Sequence, residues 1–180
     1  MKKKISENLL ELLQFFPKID PPVTISEDVI VSFSAQNKPL PQKIIQETFS
    51  KWDQMDEFTE LVPCFSLDTE ADFHAIVYWK GSLLSYEYII VTLDDEGHSI
   101  SKKVIAGTLS NGQTVKRSVA TIDEDLCIYS VVGESLVSQK NYNPTHSNAF
   151  KFELLPDGTI SSQQEENILW AEKANPEVKN

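Results

Sequence analysis

The sequence predicts an α+β protein: a curved antiparallel β-meander of about six to eight strands with two N-terminal helices packed on it. Two observations predict this class. Short strand-like segments separated by acidic and glycine turns fill the centre of the chain, and two segments before them are apolar on one side only. A closed up-and-down β-barrel is the alternative, because a long meander can pair its first and last strands.

One domain of residues 1–180 is expected, since a chain of this length can bury one sizeable core. Its helical part spans residues 5–54, its meander residues 58–160, and its polar tail residues 161–180. Six segments are predicted strands: Phe73–Lys80, Leu84–Leu93, Ser99–Thr108, Thr114–Ile122, Leu126–Val132 and Asn148–Leu155. Four acidic or glycine motifs separate or end them: Asp94-Asp95-Glu96-Gly97, Asn111-Gly112, Asp123-Glu124-Asp125 and Pro156-Asp157-Gly158.

The N-terminal third contains the two predicted helices. Ile5–Phe16 places its apolar residues on one face, with Ser6 as N-cap and Pro17 ending the helix. Gln42–Gln54 has the same one-sided pattern. Between them, Val29–Ser34 is rich in β-branched residues and is predicted to be a short strand.

The C-terminal segment turns polar after Ile160. Residues 161–166 are therefore predicted to form a loop, residues 168–173 a helical turn, and the last residues a frayed end.

The net charge of −11 indicates which partners the chain can attract. Nucleic acid and anionic lipid bind proteins through cationic contacts, so neither is expected as a partner. Solubility is the simpler explanation of the charge, and recognition of a basic protein is the alternative. No apolar stretch approaches membrane-spanning length, and no signal-peptide core follows the N-terminal lysines. Cys64 and Cys127 lie in apolar stretches of the sequence, as buried free thiols do. A cytoplasmic location is therefore expected, with the oligomeric state left open.

No motif of catalysis, metal binding or phosphate binding occurs in the chain. The three histidines, His74, His98 and His146, lie far apart without a cysteine or histidine at ligand spacing. The acidic turns lack the ligand pattern of a calcium loop, and no glycine-rich loop opens a helix. We therefore expect no catalytic residue, metal or cofactor.

One carboxylate stands out because Glu87 lies in mid-strand between two tyrosines. A cross-strand ion pair is the favoured interpretation, and its candidate partners are Arg117, Lys80, Lys102 and Lys103. The alternative is a ligand-binding pocket floor formed by Glu87, Arg117, His74 and Tyr129. The aromatic residues at strand positions could likewise line a cavity, although core packing is the simpler explanation.

These observations favour a non-enzymatic, protein-binding module, for example an inhibitor or immunity protein directed against a basic toxin. The alternative is a small-molecule-binding protein, or an unfamiliar hydrolase, that uses the concave face of the sheet. A structural subunit of a larger assembly is a third hypothesis.

Overall fold

A computed structural model of the chain describes residues 4–138 and 147–165. Within them, nine strands form one antiparallel sheet, and a few short helices cover it. The strands are β1 Val23–Ile25, β2 Glu60–Leu67, β3 His74–Gly81, β4 Ser85–Leu93, β5 Ser99–Ser110, β6 Thr114–Ile122, β7 Ile128–Leu136, β8 Ser147–Leu154 and β9 Ile160–Glu165. The predicted α+β meander is confirmed.

Strands β2 to β9 pair in chain order, each with the next, and β1 pairs with β6. Among the described strands β2 and β9 do not pair with each other, so the alternative of a closed barrel is wrong. The edge of β2 is covered instead by the preceding chain. The backbone nitrogen of Ser66 donates to the carbonyl of Pro17 at 2.9 Å, and that of Ile19 donates to the carbonyl of Ser66 at 3.2 Å.

The short strand β1 fills a gap inside the sheet. Strands β5 and β6 pair only as far as Gly107 and Ser118, and beyond that point they diverge. There β1 takes over the pairing with β6, with Ile25 opposite Ala120 and Val23 opposite Ile122. The backbone groups of β6 are thus satisfied along its length by two successive partners.

The predicted N-terminal helices pack on the sheet, as the sequence indicated. The helices are α1 Glu7–Leu13, α2 Ile30–Gln36 after a 3₁₀ turn at Glu27–Val29, and α3, which consists of α-helical Gln42–Ile44, π-helical Ile45–Phe49 and α-helical Ser50–Trp52. Leu9 and Leu12 of α1 and Phe49 of α3 are buried in one cluster with Ile89 and Val91 of β4. Alternate residues of β4 point to the opposite face.

That opposite face contains the larger core. Tyr88 and Ile90 of β4 belong to it, and every other strand contributes at least one buried residue, β1 through Ile25. Ile30 and Phe33 of α2 pack against its margin. The sheet is therefore covered by α1 and α3 on one face, while α2 lies against the core on the other.

The prediction of a strand at Val29–Ser34 is wrong, because the segment forms the end of the 3₁₀ turn and most of α2. Two acidic residues after Ser26 occupy the first turn, where they favour a helix start. Asn37 then anchors the end of α2, since its Nδ2 donates to the carbonyls of Pro63 at 2.8 Å and Cys64 at 2.7 Å. Packing of Ile30 and Phe33 against the core outweighs the β-propensity of the segment.

The prediction of a loop at residues 161–166 is wrong for the described part, which is strand β9. Strand β9 pairs with β8 on one side, for example Phe152 with Ser162. A strand at the sheet edge can be polar because only part of it is buried. The predicted helical turn at 168–173, the frayed end and His146 lie outside the described residues. No helix within the described residues is long and apolar enough to cross a membrane.

Candidate functional site

One end of the sheet concentrates negative charge. Hairpin connections alternate between the two ends of an antiparallel meander, so residues 68–73, 94–98, 123–127 and 155–159 share one end, called here the acidic end. None of these four connections contains a lysine or an arginine. They contain ten carboxylates: Asp68, Glu70, Asp72, Asp94, Asp95, Glu96, Asp123, Glu124, Asp125 and Asp157.

Three of these carboxylates hold their own turns. Asp94 Oδ1 accepts from the backbone nitrogens of Glu96 and His98, both at 2.9 Å. Asp123 Oδ1 accepts from the nitrogens of Asp125 at 3.0 Å and Cys127 at 2.9 Å. Asp157 Oδ1 accepts from the nitrogen of Thr159 at 2.9 Å. These bonds fix the turns, so the carboxylates around them are carried on an ordered backbone.

The hydrogen bonds also act on the acidity of the turn residues. At Asp94 desolvation works to raise the pKa, but the backbone bonds from His98 and Glu96 outweigh it and lower the pKa. The side chain and backbone of Thr159 lower the pKa of Asp157. Both groups are therefore ionised at neutral pH.

Helix α1 is attached to the acidic end. The backbone nitrogen of Ser6 donates to the carbonyl of Asp95 at 2.8 Å, and its Oγ donates to the carbonyl of Glu96 at 3.1 Å. A depression of 430 Å³ lies between α1, α3 and this turn. Its lining combines apolar Leu9 and Leu12 with the carboxylates of Glu11, Glu47 and Glu96, and with Lys51 and His98 as basic groups.

A second depression at the acidic end has a volume of 500 Å³. It lies between the β2–β3 connection, the β6–β7 turn and the end of β8, and it is lined by Glu70, Asp72 and Asp125 beside Phe73 and Leu126. Both depressions thus place carboxylates beside apolar side chains.

The opposite end of the sheet, called here the uncharged end, differs in composition. Its described connections are residues 82–84, 111–113 and 137–138, and they contain no charged side chain. Apolar side chains are exposed there, with Leu83 at 68% and Leu84 at 60% of their maximal accessible surface.

A third feature is a buried charged cluster between α3 and the sheet. The Asp53 side chain is only 9% exposed and receives hydrogen bonds from Lys102 Nζ at 2.5 Å and from the hydroxyl of Tyr78. Lys80 Nζ lies 3.6 Å from the same carboxylate. Lys102 Nζ also donates to the carbonyl of Trp52 at 2.5 Å, in the last turn of α3.

Burial and the contacts within this cluster account for the pKa shifts of Asp53 and Tyr78. Burial works to raise the pKa of Asp53, but the bonds from Lys102 and Tyr78 and the charges of Lys102 and Lys80 outweigh it and lower the pKa. Burial raises the pKa of Tyr78, and the bond to Asp53 raises it further. The cluster therefore holds a fixed arrangement of charges that ties the C-terminal end of α3 to β3 and β5.

A cavity of 380 Å³ opens between the start of α2 and strands β2 to β5. Trp79 and Tyr86 stack at its wall with ring centroids 5.7 Å apart and an interplanar angle of 14°. Tyr88 and the carboxylates of Glu27 and Glu60 also line this cavity.

The structure places the four sequence-predicted site residues at separate positions. Glu87 lies opposite Lys80 on β3, while His74 lies opposite Leu93, six residues further along the same ladder, or about 20 Å. His74 Nε2 contacts Asp95 Oδ1 at 3.2 Å.

The other two lie on the second half of the sheet. Arg117 lies opposite Thr108, which lines the aromatic cavity, and its Nε is 3.9 Å from Glu27 Oε2. Tyr129 lies opposite Thr121 and Lys151, with Lys151 Nζ 5.9 Å from its ring centroid. The four residues therefore do not converge on one floor, although Arg117 and Glu87 each lie opposite a residue that lines the aromatic cavity, Thr108 and Gly107 respectively.

Sequence reasoning missed Asp53, because no pattern in the sequence joins it to Tyr78 and Lys102, 25 and 49 residues away. The common location of the acidic turns could have been predicted from the sequence, because hairpin connections alternate between the two ends of a meander.

Within the described residues, no group of three or more histidine, cysteine, aspartate or glutamate side chains is arranged to hold a metal ion. No protein-family model, curated protein or solved structure matches the chain.

Proposed function

We propose that the chain is a non-enzymatic binding protein whose acidic end docks on a basic surface of another protein. The observation that carries the proposal is the segregation of charge: ten carboxylates and no lysine or arginine in the four connections at one end of the sheet. A potential of one sign concentrated on one surface steers an oppositely charged partner and fixes its orientation.

Folding does not require this charge. Asn111, at the uncharged end, forms the same kind of turn with a neutral side chain: its Oδ1 accepts from the nitrogens of Gln113 at 2.9 Å and Thr114 at 2.7 Å. Crowded like charges repel, so carboxylates that neither hold a turn nor pair with a cation, as Asp68 does with Lys18, cost stability. Their presence is accounted for by a partner that neutralises them. An inhibitor or immunity protein against a basic toxin is a concrete form of this function.

Both cysteines are free; Cys64 is buried as predicted, whereas Cys127 is only partly buried. Burial raises the pKa of the Cys64 thiol, which keeps it unreactive. A protein with free thiols suits a reducing compartment, so we place the proposed function in the cytoplasm.

The test uses two matched variants. Glu70→Gln/Glu124→Gln removes two charges from the acidic end, whereas Glu57→Gln/Glu134→Gln makes the same chemical change outside its four connections. Each immobilised protein is incubated with extract of its own cells at about 0.05 M and about 0.5 M salt, and the captured proteins are identified by mass spectrometry.

We expect a basic protein to be captured by the wild type and by Glu57→Gln/Glu134→Gln at low salt. Glu70→Gln/Glu124→Gln should capture it about threefold to tenfold less, and high salt should reduce capture by the wild type. Equal capture by both variants, or capture that is the same at both salt concentrations, would overturn the proposal.

A further inference from the structure

The aromatic cavity beside α2 has a defined shape, and it is separate from the acidic end. Two glycines give it that shape. A Cβ on Gly81 would lie 2.4 Å from Cη2 of Trp79, so the indole is seated directly on the backbone of Gly81. A Cβ on Gly107, whose φ is +148°, would lie 2.1 Å from the carbonyl oxygen of Tyr86. Only glycine allows strand β5 to approach Tyr86 this closely.

The aromatic wall is rigid on one side and open on the other. Tyr88 is buried, and its hydroxyl donates to the carbonyl of Ser26 at 3.1 Å, which fixes the ring. Tyr86 is 46% exposed although it stacks on Trp79. The π-face of an exposed tyrosine at the mouth of a cavity is available to a ligand, and covering it removes apolar surface from water.

The charges at this cavity are predominantly negative. Its lining contains the carboxylates of Glu27 and Glu60 and, among the described residues, no cationic side chain. Arg117 stands beside it, with Nε 3.9 Å from Glu27 Oε2, and both side chains of that pair are more than half exposed. Burial is the main cause that raises the pKa of Tyr88, and nearby groups, Asp28 and Glu27 among them, raise it further.

We infer that this cavity binds a free organic cation, an ammonium or guanidinium compound that carries apolar carbon. Aromatic faces attract such a cation through their quadrupole, and carboxylates at the rim add a second attraction. The volume of 380 Å³ is within the range of small-molecule sites. A bare metal ion is a poor match, because hard cations require several oxygen ligands rather than aromatic faces.

The test compares two probes of the same shape, choline and its neutral isostere 3,3-dimethylbutan-1-ol. Each is titrated into the full chain, and the indole N–H signal of Trp79 and the backbone signals of Gly81 and Gly107 are followed by NMR. Choline should shift these signals with a dissociation constant about tenfold or more below that of the neutral isostere.

Variants locate the binding. Tyr86→Leu should weaken choline binding about tenfold, Tyr86→Phe should retain it, and the control Tyr129→Leu, at another exposed tyrosine, should have no effect. Glu27→Gln/Glu60→Gln should weaken binding about threefold or more, whereas Glu57→Gln/Glu134→Gln should not. Melting temperatures of all variants show whether each remains folded, and Glu27→Gln/Glu60→Gln keeps the test valid where Tyr86→Leu does not fold.

Equal binding of choline and its neutral isostere would overturn the inference, as would shifts confined to residues outside the cavity. Binding of an arginine-rich peptide at the cavity without binding of choline or N-acetylarginine amide would also overturn it, because the site would then recognise a protein side chain in its sequence context. These results are independent of the acidic-end variants.

Discussion

The two ends of the sheet are built by the same hairpin topology but differ in charge. At the acidic end Asp123 holds its turn through two backbone hydrogen bonds, and at the uncharged end Asn111 does the same. An Asx side chain therefore caps both of these turns, and the cap does not depend on a charge. The difference teaches that capping accounts for Asp94, Asp123 and Asp157 but not for the other carboxylates of the acidic end, of which Asp68 pairs with Lys18 and Asp95 contacts His74.

Asp53, in contrast, is a carboxylate that the fold does require. Asp53→Ala leaves the charges of Lys80 and Lys102 and the hydroxyl of Tyr78 without their shared acceptor. We expect a loss of about 3 kcal/mol in the free energy of unfolding, measured by urea denaturation at pH 7. A loss below about 1 kcal/mol would show that the cluster does not tie α3 to the sheet.

The pH dependence of stability separates Asp53 from the exposed carboxylates. The pKa of Asp53 is lowered in the folded state, so its contribution is present above the unfolded value near 3.8 and is lost as the pH falls through the folded value. As the pH falls from 5 to 2, the wild type should therefore lose more of its free energy of unfolding than Asp53→Asn does. Parallel curves for the two proteins would contradict the assigned role of Asp53.

A smaller effect tests the turns themselves. Asp123→Ala removes the acceptor of two backbone N–H groups and should lower the free energy of unfolding by about 1 kcal/mol. Asp123→Asn keeps an acceptor oxygen and should change it by less than about 0.5 kcal/mol. Urea denaturation of both variants at pH 7 provides the comparison. If the asparagine variant lost as much as the alanine variant, charge would be part of the turn chemistry and the contrast between the ends would fail.

The fold was largely predictable, because local patterns carry most of it. Thr114–Ile122 has the predicted bounds, and the other predicted strands differ at their ends by a few residues. The failures have physical reasons. Strand β1 has three residues, too few for a period, and forms because β5 and β6 diverge at Gly107. Strand β9 is polar because it lies at an edge.

The candidate sites were predictable in part. The acidic turns are visible in the sequence, and the alternation of hairpins places them at one end. The aromatic cavity depends on non-local facts: the stacking of Trp79 on Tyr86 and the approach of Gly107 to the carbonyl of Tyr86. Neither contact can be predicted from the spacing of residues in the sequence. The register of β3 and β4 is likewise non-local, and it separates Glu87 from His74, which the sequence analysis had placed in one pocket.

The stability of Glu70→Gln/Glu124→Gln at low salt tests the central claim most directly. The account predicts that urea denaturation gives a free energy of unfolding equal to or slightly above that of the wild type, and that high salt removes the difference, because the substitutions relieve repulsion without breaking a turn. A loss of more than about 1 kcal/mol, beyond that of Glu57→Gln/Glu134→Gln, would contradict it, since these carboxylates would then serve the fold.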